Sequence, residues 1–167
     1  MSTADRLYRR VMMMVGTMKI TATDDSGPVH KVQARGFAPE TIDNMPVLQI
    51  YGLASHAMPG SDAMAIFTSG DRSNGVIIAT GNQQYRLRAL KSGEVALYDN
   101  SGNIVKLAAG GNIEITCPTK VRIKTPRLEV TGDIVADCDG TKISLRDHRH
   151  KDTQPGGSLS GVPNPTP

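Results

Sequence analysis

Tryptophan is absent from this 167-residue chain, and its aromatic complement is four tyrosines and two phenylalanines. Any core must therefore be built from Val, Ile, Leu, Met and Ala. Hydrophobic residues make up 38% of the chain, below the usual apolar share of globular domains. That is thin for a self-sufficient globule, and it implies a core completed in part by other copies of the chain. Cysteine is scarce too. Cys117 and Cys138 lie far apart with no CxxC spacing, which excludes a disulfide framework and a zinc ribbon and leaves buried reduced thiols as the expectation. No stretch approaches the roughly 20 apolar residues that a membrane-spanning helix needs. RLYRRVMMMVGTMK sets basic residues before an apolar run, but Lys19 closes that run too early for a signal peptide. A net charge of +3 with a pI near 9.0 is too mild to single out a nucleic-acid binder. GxSxG, HExxH and P-loop patterns are all missing, so the familiar hydrolase, zinc-protease and nucleotide-site signatures do not apply.

What is present begins with TADRLYRRVMMM, residues 3–14, which reads as a short helix capped by Thr3 with Leu7, Val11 and Met14 on one face. From Val15 to about Gly81 the texture changes to short apolar runs between turn residues. VGTMKITAT, VHKVQARGF, PVLQIYG, AMAIFTS and GVIIATG are the predicted strands; DDSGP, APETIDN, MPGSD and GDRSNG are the predicted turns. Five strands in that length fit a small antiparallel barrel of OB type. Phe37, Tyr51, Phe67 and Tyr85 are scattered through this half, several of them suited to its core.

After residue 85 apolar residues recur in pairs separated by one position: Val95/Leu97, Val105/Leu107, Ile113/Ile115, Val121/Ile123, Leu128/Val130, Ile134/Ala136 and Ile143/Leu145. The steps between pairs are ten, eight, eight, seven, six and nine residues, with SG, AGG, CP, TP, TGD and CDG turns between them. The intervening positions are polar or charged, so each short strand has one apolar and one wet face. Such a strand buries too little to offset its own conformational entropy. A single-chain solenoid would call for a regular six-residue repeat, which is missing. Three identical chains wrapped about one axis solve the problem, because each contributes one wall of a prism and the inward pairs meet in layers. Fourteen inward positions per chain, taken three times, give that rod a core.

RDHRHKD, residues 146–152, holds His148 and His150 one residue apart. In one chain two imidazoles make a poor metal site. On a three-fold axis they become six nitrogens in two triangles, an octahedral donor set suited to Fe(II), Co(II) or Ni(II) rather than to tetrahedral zinc. With every position filled, such an ion clamps chain ends and cannot activate water. Ile143 and Leu145 differ in parity from the two histidines, so the backbone must bend near Arg146 and Asp147 if all four face inward. His30 falls in a predicted barrel strand and His56 in a loop, with no nucleophile to pair with; Asp137–Gly140, DCDG, reads as a turn rather than a calcium loop. The end, PGGSLSGVPNPTP, has linker composition and would fold back as a cap if the rod stops at the histidines.

The order of parts resembles the central spike, or baseplate assembly, proteins of Mu-like contractile-tailed bacteriophages. RLYRRV, then GLASHAMPGSDAMAIFTSGDRSNGVIIATG, then LYDNSGNIV and NIEIT, then His-x-His before a Gly/Pro-rich end carry the resemblance over nearly the whole chain. It implies an all-β homotrimer: a helix and OB-fold collar over residues 1–85, an intertwined triple-stranded β-helix over 86–145, and a metal-bound apex over 146–167. It further implies one iron ion shared by three chains through His148 and His150. Calcium and chloride occur near the tip of relatives, with no residue of this chain assigned to them. The implied role is non-catalytic: a virion tail-tip spike, assembled in the host cytoplasm, that plugs the tail tube, contacts hub and tube proteins, and punctures the host outer membrane. Two other classes compete. A trimeric β-helix acyltransferase would need a strict hexapeptide repeat, and a nucleic-acid-binding OB module would need basic residues interleaved with stacking aromatics.

Overall fold

The structure, a computed structural model, describes residues 2–37 and 39–147. It is mostly β, with one short helix, and divides into a compact unit Met1–Lys120 and a second unit that begins at Val121.

The helix α1 (Thr3–Met12) starts one residue earlier than the sequence suggests. Ser2, not Thr3, is the cap: the Ser2 hydroxyl accepts from the Asp5 N–H at 3.1 Å, and the Asp5 carboxylate accepts from the Ser2 N–H at 2.9 Å. This reciprocal capping box satisfies two otherwise orphaned donors and outcompetes a threonine with no acidic residue three places on. Met14 lies beyond the helix end.

Five strands follow: β1 (Val15–Asp24), β2 (Lys31–Arg35), β3 (Thr41–Pro46), β4 (Asp62–Phe67) and β5 (Gly75–Gly81). They pair antiparallel in the order β3-β2-β1-β4-β5. The two edge strands are brought together by a parallel bridge between Val47 and Ile77, where the Leu48 N–H donates to the Ile77 carbonyl at 2.8 Å. The third strand differs from expectation. Beyond Pro46, PVLQIYG supplies only that bridge, and the strand itself is TIDNMP, four of whose six residues read as turn. The reason is a bulge. The register slips opposite Val32 and Ala34, and Asn44 takes φ of 57°, a conformation asparagine tolerates better than most side chains. Turn-forming residues here sit inside a strand.

The core comprises Met18, Ile20, Val32, Ala34, Met45, Ala63, Ala65, Phe67 and Ile77, drawn from all five strands at alternating positions. Phe67 is the largest side chain fully enclosed, whereas Phe37 and Tyr51 are exposed rather than in the core. Gly75 makes room for Phe67: a Cβ there would lie 2.6 Å from the ring edge. Arg72 covers the same ring at 3.7 Å from its centroid, and its Nε donates to Glu40 at 2.8 Å. A second guanidinium nitrogen also reaches Glu40, so the side chain forks across the carboxylate.

Past the barrel, β6 (Val95–Tyr98), β7 (Ile104–Ala108) and β8 (Asn112–Thr116) form a separate antiparallel sheet. In the second unit β9 (Val135–Ala136) and β10 (Ile143–Ser144) make a short hairpin. The expected strands at 121–123 and 128–130 are not formed within the chain. A strand requires a hydrogen-bonding neighbour, and this segment has no ladder partner among the described residues.

Candidate functional site

The register of β6–β8 sets the predicted apolar pairs directly across from one another. Val95 faces Leu107 and Leu97 faces Val105; Val105 in turn faces Ile115 and Leu107 faces Ile113. Six branched side chains thus form a two-by-three array on one face of the sheet. Among the described residues this face is left open: Val95, Leu97, Ile113 and Ile115 keep 57%, 58%, 69% and 59% of their surface exposed. The opposite face carries Ala96, Ile104, Lys106 and Ala108, all half-buried, and there Lys106 pairs with Glu114 at 2.7 Å. That pair raises the Lys106 pKa, chiefly through the hydrogen bond that Lys106 donates to Glu114.

The turns that hold this face are built from polar side chains. Glu94 accepts from the Lys91 N–H at 2.9 Å and from the Ala109 N–H at 3.3 Å, which fastens the open end of the β6–β7 hairpin. Those two backbone donors hold its carboxyl below the ordinary range. At the other end Asp99 accepts from the side chain and the N–H of Asn103 and from the Ser101 N–H, at 2.6, 2.9 and 2.9 Å. Its carboxyl is likewise lowered, first by the Asn103 side chain. Gly102 takes φ of 88° in that turn. DNSGN is therefore a self-closing loop, and its spacing needs no other part of the protein.

The second unit repeats the pattern. Val121, Ile123, Leu128, Val130, Ile134, Ile143 and Leu145 are all substantially exposed. Ile143 pairs across from Ala136, and the Leu145 N–H donates to the Ile134 carbonyl at 2.8 Å. DCDG is the turn the sequence suggested: Asp137 takes φ of 52° and its carboxylate accepts from the Thr141 N–H at 2.8 Å. The free thiols differ from expectation. Cys138 is exposed and Cys117 half-buried, in keeping with same-parity neighbours such as Ile113, Ile115 and Ile134, which are exposed as well.

Asp133 braces the run that leads to the histidines. Its carboxylate accepts from the Ser144 hydroxyl at 2.5 Å and from the Arg146 N–H at 3.1 Å, while the Ser144 hydroxyl accepts from the Asp147 N–H at 2.9 Å. The Ser144 bond is the main cause of its lowered pKa. Residues 145–147 form a turn, where the parity argument asked for a bend. His148 and His150 themselves lie outside the described residues. Among the described residues no group of three or more His, Cys, Asp or Glu side chains could hold a metal ion.

One arrangement escaped sequence reasoning. His30, just before β2, and His56, in the loop ahead of β4, meet edge to face with ring centroids 5.1 Å apart. His56 Nε2 lies 2.6 Å from the Thr23 hydroxyl, and both ring nitrogens of His30 are buried without a hydrogen-bond partner. The two histidines stand 26 positions apart, and nothing in the residues between them signalled that they touch.

Comparison with known proteins bears on this arrangement. Residues 18–84 match the family described as Bacteriophage Mu Gp45, N-terminal, a span that covers all of the barrel but the start of β1. The baseplate puncturing device gp45 of Escherichia phage Mu is 28% identical over 135 residues, covering 77% of this chain and 68% of that protein. The Mu-like prophage FluMu protein gp45 of Haemophilus influenzae is 24% identical over 139 residues, covering 83% and 71%. Both alignments extend well past the barrel, and together with the family match they support the resemblance to Mu-like phage baseplate spike proteins read from the residues.

Proposed function

We propose that three copies of this chain form the spike at the centre of a contractile phage tail, and that the spike plugs the tail tube and punctures the host outer membrane when the tail contracts. The observation that carries this reading is the exposed apolar array of β6–β8. Fully burying one such side chain contributes about 1.5–3 kcal/mol, so a chain that keeps this face in register and leaves it bare has its partner elsewhere. Three copies supply one another's missing walls.

In this reading residues 1–85 are the OB-type collar, supported by the strand order and by the edge-to-edge bridge at Val47 and Ile77. Residues 86–145 are the shaft, in which segments unpaired within one copy hydrogen-bond between copies. Residues 146–167 are the apex. Three pairs of His148 and His150 supply six neutral imidazole donors, a set that suits a borderline divalent ion such as iron, and Asp133 fixes the direction in which each chain enters it. The ion would tie chain ends where the apolar layers stop. The work is mechanical and is driven by other tail proteins, so the spike carries no catalytic machinery; it belongs to the virion and is assembled in the host cytoplasm.

Sedimentation equilibrium and elemental analysis test the reading together. The expected result is a trimer with one iron per three chains. The double substitution His148→Ala with His150→Ala should remove the iron and leave the trimer, since the apolar layers lie elsewhere. A stable monomer at micromolar concentration would overturn the proposal.

A further inference from the structure

The helix α1 is amphipathic in a way the rest of the fold does not use. Ala4, Leu7, Tyr8, Val11 and Met12 fall at helical spacing on one stripe, yet no residue of the helix is buried. Leu7 and Val11 keep 64% and 55% of their surface exposed. An isolated helix of this length is marginal in water, so something must hold it.

Both ends are held, and neither hold uses the stripe. The capping box fixes the start. At the other end the Arg10 backbone carbonyl sits against Gly70, whose φ of 70° and missing side chain make the approach possible. The Phe67 N–H then donates to the Met14 carbonyl at 2.8 Å, tying the exit of the helix to the end of β4. The helix is presented on the barrel with its apolar stripe outward.

Charge narrows the choice of occupant. Arg6, Arg9 and Arg10 stand against the single acid Asp5 in this helix. Identical helices brought together would set arginine against arginine, so a second copy fits poorly. A membrane surface fits poorly as well, because the helix is only about 15 Å long and its C-terminal end is tied to the end of β4. We infer that α1 is a docking element for a different protein of the baseplate, one that offers an apolar groove with an acidic rim. This inference rests on the spike reading above. Met12, long and unbranched, adapts to such a groove better than a β-branched residue would.

Tails assembled without this chain provide the test, with purified full-length protein added back. The unaltered chain should enter such tails, and the Leu7→Glu, Val11→Glu variant should enter at least tenfold less while keeping the same sedimentation and melting behaviour. Arg6→Glu with Arg9→Glu should also lower entry, with a weaker dependence on salt than the unaltered chain shows. Equal entry of the Leu7/Val11 variant would overturn the inference, and equal entry of the arginine variant would overturn the acidic rim. Loss of the oligomer in the first variant would assign the stripe to copies of this chain instead. Binding of the unaltered chain, but not the variant, to vesicles of three parts phosphatidylcholine and one part phosphatidylglycerol would assign it to lipid. Failure of the unaltered chain to enter the tails would sink the spike reading itself, and the docking element with it.

Discussion

In the barrel, Ile20, Val32, Phe67 and Ile77 leave solvent within one copy of the chain. In β6–β8 and beyond, the same residue types at the same alternation stay exposed. The local rule is shared, since both regions put apolar side chains on one face and polar ones on the other. What differs is closure. The barrel sheet curls until Val47 meets Ile77, and its inner face finds itself. The later sheet is three strands wide and cannot curl around anything. Amphipathic strands therefore determine that a face will be buried, and strand number with closure determines whether one chain can bury it.

Substitutions can break this contrast at either end. The largest effect is expected from Val105→Glu with Leu107→Glu, in the central strand of the bare array. Three copies would each bring two carboxylates into the shared interior, a penalty on the order of 10 kcal/mol or more per trimer. Sedimentation should report loss of association, while the barrel's secondary structure persists in circular dichroism. Dissociation without barrel unfolding is the signature that separates the two regions.

Next comes Phe67→Ala, which empties the centre of the barrel. About 3–5 kcal/mol of stability should be lost, read as a fall in the midpoint of barrel unfolding. The face of β6–β8 contains no part of Phe67, so association of chains that remain folded should be little changed.

A smaller effect follows acidification. The fork from Arg72 depresses the Glu40 pKa, so its contribution to stability is complete above the ordinary carboxylate range and is lost as the pH falls through the folded value. Below about pH 4 the barrel midpoint should decline, and Glu40→Gln should flatten that decline while costing about 1–2 kcal/mol at neutral pH. Urea unfolding at a series of pH values checks both. The smallest effect belongs to Lys106→Ala, on the other face of that sheet, where the ion pair with Glu114 keeps partial access to water and salt. The unfolding and association midpoints should stay within measurement error at 0.15 M salt.

Much of this was legible from residues alone. Alternation located four of the five barrel strands, and the pair pattern placed the apolar positions of β6–β8, though not which of them face one another. The third strand was hidden because Asp43 and Asn44 usually mark a turn and here form a bulge. The helix cap was displaced because a capping box depends on two residues, not one. Arg72 was overlooked in GDRSNG, where it looks like one more polar loop residue; only the folded chain lays it over Phe67 and against Glu40.

By itself the sequence determined which face of most strands is apolar, where most of the turns fall, and that the second half is poor in large side chains. Those are local matters, settled by alternation, by turn chemistry and by composition. The tertiary structure decided which strands become neighbours, that the edges of the first sheet meet, that His30 and His56 touch, and that the stripe of α1 faces outward. Contacts between residues distant in the chain depend on how the backbone closes on itself, and closure is a property of the whole sheet that no short window of residues contains.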